Sequence, residues 1–316
     1  MSIYQVPKKQ VDKMSLKTPR GITPQEAVKK VGEQMRVEGS REKTIEEYAY
    51  HFMKFVSFTG LESFDDLEAS MVYDWLNSMN VKMVTKQSRL KMLKAFLTRC
   101  YRNKWVKENF WHSMRIKVDV DVKAHVPVER LDFLCSQLDT SRFVGLRDVV
   151  AIRLIQYTGI RINTLVNLQE HHVKIKEKEL HIPGEITKNR KPLVLPIPDM
   201  LIDAVHALIE VNKAVKGYYL QEHSYLFTTE RGRPGNGDGH ISRNPISKQL
   251  RKYSEKYNIE GLSPHAIRRT FATNLLKKGA SVALISKALG HSDLKTTTQY
   301  LDLELQEVSQ SLREYF

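Results

Sequence analysis

Cysteine is scarce: the 316 residues hold two, Cys100 and Cys135. Two thiols build neither a disulfide framework nor a four-ligand zinc site, so a disulfide-stapled secreted domain and a zinc finger are excluded. Both stand in helical apolar patterns, FLTRCY and LDFLCSQL, where a buried structural thiol is expected. Long apolar runs are also missing. Nothing approaches the roughly 18 residues of a membrane span, and the opening MSIYQVPKKQVDK has no apolar stretch behind its charges. No membrane segment and no secretory signal are expected, and the cytoplasm is the expected compartment. A GxxxxGKS or GxxxxGKT loop is absent, which argues against nucleotide hydrolysis. No run gathers carboxylates in the manner of a two-metal nuclease. Acid is the minority charge, 36 Asp+Glu against 50 Lys+Arg, for a formal net charge of +14. That balance favours an anionic partner.

What is present reads as globular, with 41% hydrophobic and 27% charged residues. Residues 1–22 carry Lys8, Lys9, Lys13, Lys17 and Arg20 against Asp12, with little periodicity, and read as a basic arm. Helical signals begin at Thr23, an N-cap followed by Pro24, and this helix runs to Glu38 before Gly39. Thr44 and Glu47 form a T-x-x-E pattern expected to be a capping box. Behind it Ile45, Tyr48, Phe52, Phe55 and Val56 recur at helical spacing up to Gly60. Short helices around Phe64–Glu68 and Ser70–Asn77 and a long one from Thr85 to Tyr101 complete a helical domain, 23–115.

Between Lys82 and Lys107 lie nine basic residues and no acid: Lys82, Lys86, Arg89, Lys91, Lys94, Arg99, Arg102, Lys104 and Lys107. Solvated helix faces normally mix both signs. A single-sign field repels itself unless a polyanion lies against it, so the stretch is a candidate nucleic-acid surface.

Residues 116–127, within IKVDVDVKAHVPV, are the expected linker. A second domain, 128–300, opens with helices, including Gly145–Tyr157. Its segment HHVKIKEKELHIPGEITKNRKPLVLPIP alternates, predicting a three-stranded antiparallel sheet with turns at Glu177–Glu179 and Lys188–Lys191. Helices resume at Met200, interrupted by the loop RGRPGNGDGH. The fold class is therefore mainly α with a small antiparallel sheet.

In SPHAIRRTFATNLLKKG, Ser263 is an N-cap, Pro264 fits the first helical position, and His265 and Arg268 share one face. The N–H groups of that first turn suit a phosphate. In GASVALISKALGHSDLKTTTQYL, Ser281 caps a helix that Gly290 ends, His291 sits in the turn, and Tyr300 follows nine residues later. By itself this segment reads as a helix-turn-helix, and a transcriptional regulator would need nothing more. Arg161, just past Gly159 in YTGIRINTL, and Lys188 in the TKN turn are left over by that reading.

Taken in order, TGIR, the hairpin lysine, HAIRR, LGH and TTTQY resemble the signature of the tyrosine recombinase, or phage integrase, family, and the likeness spans essentially the whole chain. It implies an all-helical core-binding domain plus an α+β catalytic domain. It implies Tyr300 as nucleophile, Arg161 and Arg268 as an arginine clamp, His265 and His291 as further site residues, and Lys188 as the hairpin acid, with Lys191 the alternative. The chain departs from the commoner pattern at Thr164, where many members carry an acid. The residue types suit phosphoryl transfer. Two guanidiniums stabilise charge on the non-bridging oxygens, and a tyrosine, with pKa about 10, attacks once its proton is lost. With no carboxylate cluster and no nucleotide-binding loop, no metal and no cofactor are expected. The resemblance further implies double-stranded DNA at a specific site as partner, a homotetramer on two sites and accessory DNA-bending proteins. Lys82, Lys86, Arg89, Lys91, Lys94 and Arg99 are the expected DNA contacts. Residues 301–316, with Leu301, Leu305, Val308, Leu312 and Tyr315 at helical spacing, are the expected protomer-contact tail. A regulator on the same fold and a type IB topoisomerase are the alternatives.

Overall fold

The computed structural model describes residues 21–118, 125–236 and 244–291. The chain divides between Val120 and Asp121 into two compact units. Among the described residues no helix is long and apolar enough to cross a membrane.

The first unit is helical. Helix α1 (Pro24–Val37) starts at Thr23, whose hydroxyl accepts from the Glu26 N–H while the Glu26 carboxylate accepts from Thr23 N. This reciprocal cap satisfies backbone donors that a helix start leaves open. Ile22 packs on the core, so the arm read over 1–22 is structured at its end. Residues 1–20 lie outside the described residues. Helix α2 (Glu42–Thr59) begins earlier than the Thr44–Glu47 pattern predicts. Its N-cap is Arg41, and Thr44 lies inside the first turn. Arg36 decides this, because its guanidinium holds the Glu42 carboxylate (Nε to Oε2 3.0 Å) and so places an acid at the positive helix end. Helix α3 (Ala69–Asn77) follows a single 3-10 turn at Phe64–Asp66, and α4 (Met83–Arg102) is the longest element of the unit. The core sits between α2 and α4. The rings of Phe52 and Phe96 stack at 4.0 Å, Phe55 meets Trp75 edge-on, and Leu93 and Leu97 are fully buried.

The second unit is built around α6 (Phe143–Thr158), preceded by α5 (Val128–Ser136). Val150, Ala151, Ile152, Leu154 and Ile155 are all fully buried, so α6 is apolar on nearly every face. Even its polar residues are absorbed. Arg147 donates to Asp148 (2.9 and 2.7 Å) and to the Thr228 carbonyl (3.1 Å), and the Tyr253 hydroxyl donates to Asp148 (2.8 Å). Burial pushes the Asp148 carboxyl above its ordinary range, against the opposing pull of Arg147.

A short helix, α7 (Ile162–Val166), leads to a three-stranded antiparallel sheet in the order β1 (Val173–Lys174), β2 (Glu179–Ile182), β3 (Leu193–Pro196). Leu180 pairs with Leu195 and Ile182 with Leu193, which turns the apolar residues to the core. The sequence places a tight turn at Lys188–Lys191. The structure instead joins β2 to β3 through residues 183–192, with a 3-10 turn at Gly184–Ile186 and Arg190 at φ 57°. Among the described residues four helices follow: α8 (Asp199–Tyr218), α9 (Pro245–Lys256), α10 (Pro264–Lys277) and α11 (Val282–Ala288). Ser263 and Ser281 cap the last two, accepting from the N–H groups of Ala266 and Leu284 (both 3.2 Å).

The expected linker is taken up at both ends. The Ile116 carbonyl accepts from Gln87 (2.8 Å) in the first unit, and Val126 is buried in the core of the second. Cys100 and Cys135 are buried, free thiols, pushed up to about 12 and about 11 by burial.

Candidate active site

Helix α6 ends at Gly159, which adopts the left-handed conformation (φ 62°). A Cβ there would meet the Phe271 ring at 2.3 Å, so both backbone and space require glycine. The tight reversal makes Arg161 the N-cap of α7, half-buried. At the other end of the site Gly290 (φ 59°) closes α11, and the His291 N–H donates to the Ser286 carbonyl (3.0 Å). These two glycines aim the carbonyls of Gly159 and Leu289 at the same side chain. That side chain is Arg268, on α10, 1% exposed. Its Nη1 donates to the Gly159 carbonyl, and its Nη2 to the Leu289 carbonyl at 2.8 Å. Arg161 Nη1 reaches the same Leu289 oxygen at 3.4 Å. Two guanidiniums from different helices therefore converge on one carbonyl.

His291 completes the cluster, 2.9 Å from Arg268 Nη2 through its Nε2. A guanidinium only donates, so Nε2 accepts and the proton sits on Nδ1. Burial, then the charges of Arg268 and Arg161, bring its pKa down to about 4. The site thus holds two fixed positive charges and a neutral imidazole, a combination suited to binding an anion.

The remaining expected residues are placed as follows. His265 is exposed in the first turn of α10, one turn before Arg268. Lys188 is exposed in the β2–β3 connection, and Lys191 is exposed near its end. The connection is tied to the site by Asn189, whose Nδ2 donates to the Gly290 carbonyl at 3.0 Å. Thr164, at the position where the resemblance has an acid, is buried and donates to the Ile186 carbonyl (3.2 Å), holding the same connection from α7. Tyr300 and residues 301–316 lie outside the described residues. Asn189 was not legible as a site residue, because its role is a contact made across 101 residues of sequence.

On the first unit, Lys91, Lys94, Arg99, Arg102 and Arg115 line a groove of about 480 Å³ beside Tyr48 and Gln87. Not every expected contact is uncommitted. Lys94 donates to the carbonyls of His112 (3.1 Å) and Met114 (3.0 Å), and burial lowers its pKa. Arg99 forks onto Glu38 (3.0 and 2.7 Å). Lys82 is the N-cap of α4, a helix with no acid in its first turn, and Lys86 and Arg89 are half-buried along it. Arg115, absent from the sequence reading, joins the groove because the chain after α4 folds back along it.

Residues 129–307 match the sequence profile of the phage integrase family. The chain belongs to that family, the tyrosine recombinases, which break and rejoin DNA. It is 26% identical over 282 residues to a tyrosine recombinase of Thermosipho africanus, covering 84% of this chain and 90% of the relative. It is 24% identical to the tyrosine recombinase XerD of Vibrio cholerae, covering 83% and 82%. Among solved structures, the Tn1549 transposon integrase in complex with transposon right end DNA superposes with a TM-score of 0.71 at 15% identity, covering 93% of this chain and 99% of that one. A lambda integrase dimer bound to a core site gives 0.68 at 13% identity, covering 94% and 82%. These likenesses establish the fold.

Proposed function

We propose that this chain is a site-specific recombinase that cleaves and rejoins duplex DNA through a 3′-phosphotyrosyl link on Tyr300. The observation that carries this reading is the convergence of Arg161 and Arg268 on the Leu289 carbonyl, with neutral His291 against Arg268. A scissile phosphodiester set against that cluster would have both guanidiniums at its non-bridging oxygens, where charge develops during attack. Tyr300 Oη attacks phosphorus and gives its proton to an imidazole, that of His265. The bond from phosphorus to the 5′-oxygen breaks, and Lys188 protonates the departing oxygen. Attack by a 5′-hydroxyl of a second strand reverses each step and releases the tyrosine. The linkage conserves bond energy, so rejoining needs no nucleotide.

In this reading residues 23–115 hold the duplex through the α4 groove, 128–300 carry catalysis, and 301–316 contact a second protomer. Four protomers on two DNA sites would exchange strands through a Holliday junction, and integration or excision of a mobile element is the setting we assign. The 24–26% identity to named tyrosine recombinases supports the recombinase class.

The test is a nicked suicide duplex bearing the site recovered by binding selection. Wild type should accumulate a covalent protein–DNA adduct. Tyr300→Phe removes one oxygen and little volume, so DNA affinity should hardly change while the adduct vanishes. A wild type as inert as Tyr300→Phe, with both repressing a promoter at that site, would replace the enzyme by a regulator.

A further inference from the structure

Lys188 stands between two residues that hold its backbone. On one side Thr187 is buried, and its hydroxyl bonds the carbonyls of Gly184 (2.9 Å) and Lys191 (3.0 Å), closing the connection on itself. A Cβ on Gly184 would lie 2.5 Å from the Arg190 carbonyl, so the two limbs of the connection are in contact there. From α7, the helix that Arg161 caps, Thr164 bonds the Ile186 carbonyl. On the other side Asn189 donates to the Gly290 carbonyl at 3.0 Å, one residue before His291. The exposed lysine is therefore carried on a segment fastened both to the helix of one clamp arginine and to the turn of the clamp histidine.

We propose that Asn189 is a positioning residue for Lys188. Its amide holds the β2–β3 connection against the Gly290–His291 turn, so that the lysine ammonium meets the departing 5′-oxygen. This rests on the reading of Lys188 as the acid. A lysine has a long flexible stem, and an acid acts only within hydrogen-bond reach of the atom it protonates. The Asn189 bond fixes where that stem begins. Without it the ammonium ranges more widely, and proton transfer to the 5′-oxygen as its bond to phosphorus breaks becomes the slow event. Attack by Tyr300 at phosphorus and the arginine clamp are unaffected.

The experiment compares wild type, Asn189→Ala, Lys188→Ala and Arg161→Ala on the nicked duplex, with an ordinary 5′-oxygen or a bridging 5′-sulfur at the scissile phosphate. Sulfur leaves as a thiolate and needs no acid. On the oxygen substrate Lys188→Ala should lose on the order of 10²–10⁴ in cleavage rate, the usual contribution of a general acid. Asn189→Ala should lose a part of that, about tenfold or more. On the sulfur substrate both should return to the wild-type rate, while Arg161→Ala should stay slow. Thermal melting of the full chain should be unchanged in Asn189→Ala, since the side chain is half-buried in a loop.

An Asn189→Ala protein that cleaves the oxygen substrate at the wild-type rate overturns the proposal. So does one equally slow on both substrates, because the amide would then act through His291 or the fold. If Lys188→Ala itself is not rescued by sulfur, the assignment of the acid falls, and the role of Asn189 falls with it. A wild type inert on both substrates overturns the recombinase reading on which all of this stands.

Discussion

His291 is the residue whose chemistry depends most on its surroundings. Burial and two neighbouring guanidiniums bring it from an ordinary 6.5 to about 4. Above pH 6.5 neither the folded nor the unfolded chain protonates it, and its contribution is fully present. Between 6.5 and 4 the unfolded chain takes up the proton first, so stability falls as pH falls. Discounted for partial solvent access, the loss is on the order of 1–2 kcal/mol by pH 4. Urea denaturation of wild type and His291→Gln across pH 7.5–4.5 isolates this from the other histidines, and the variant should show the shallower slope. A bound phosphate should restore proton affinity to the imidazole by offsetting the arginine charges. An NMR titration of the ring should then move its midpoint upward in phosphate.

At the scale of elements, the site is a consequence of where helices stop. Gly159→Ala would place an alanine at φ 62° with its Cβ 2.3 Å from the Phe271 ring. The left-handed backbone costs an alanine about 1–2 kcal/mol, and overpacking adds about 1–3 kcal/mol. Denaturation should therefore register a loss of about 2–5 kcal/mol, and any folded fraction should cleave poorly because Arg161 and the carbonyl that holds Arg268 both shift. Helix α4 carries a different lesson. Lys94 ties the returning segment through the carbonyls of His112, which is exposed, and Met114, which is part-buried. Lys94→Ala should therefore destabilise the first unit by about 0.5–1.5 kcal/mol, the net worth of a hydrogen bond whose acceptor water can take over. Lys91→Ala, exposed, should leave stability within about 0.5 kcal/mol.

For the whole molecule the net charge of +14 and the groove along α4 make a joint prediction about salt. A protein with several phosphate contacts loses on the order of 10³–10⁵ in DNA affinity between about 50 and 200 mM salt. Replacing Lys86, Arg89 and Lys91 by alanine should flatten the plot of log affinity against log salt by roughly one to three. An unchanged slope in fluorescence anisotropy titrations would return these residues to a solvated helix face.

Much of this was legible from residues alone, and the reason is local. Thr23, Ser263 and Ser281 cap helices by bonds to residues three positions on, and Gly60, Gly159 and Gly290 turn left-handed because the chain there must reverse. Such contacts depend on near neighbours in sequence, so composition and spacing reveal them. The mainly helical class, the small sheet, the buried thiols and the Arg161–Arg268–His291 set follow from that kind of signal together with the family likeness. Where a partner outside the local pattern intervened, the outcome differed from that pattern. The Arg36 guanidinium, six residues away, holds Glu42 at the start of α2. Glu38 and two carbonyls engage Arg99 and Lys94 within the basic run, which no pattern along the chain records. Only the tertiary structure could place Arg161 on an oxygen 128 residues away, or fasten the lysine-bearing connection through Asn189. Those bonds exist because α6, α10 and α11 pack their apolar faces together, and no periodicity along the chain records which carbonyl that packing leaves within reach.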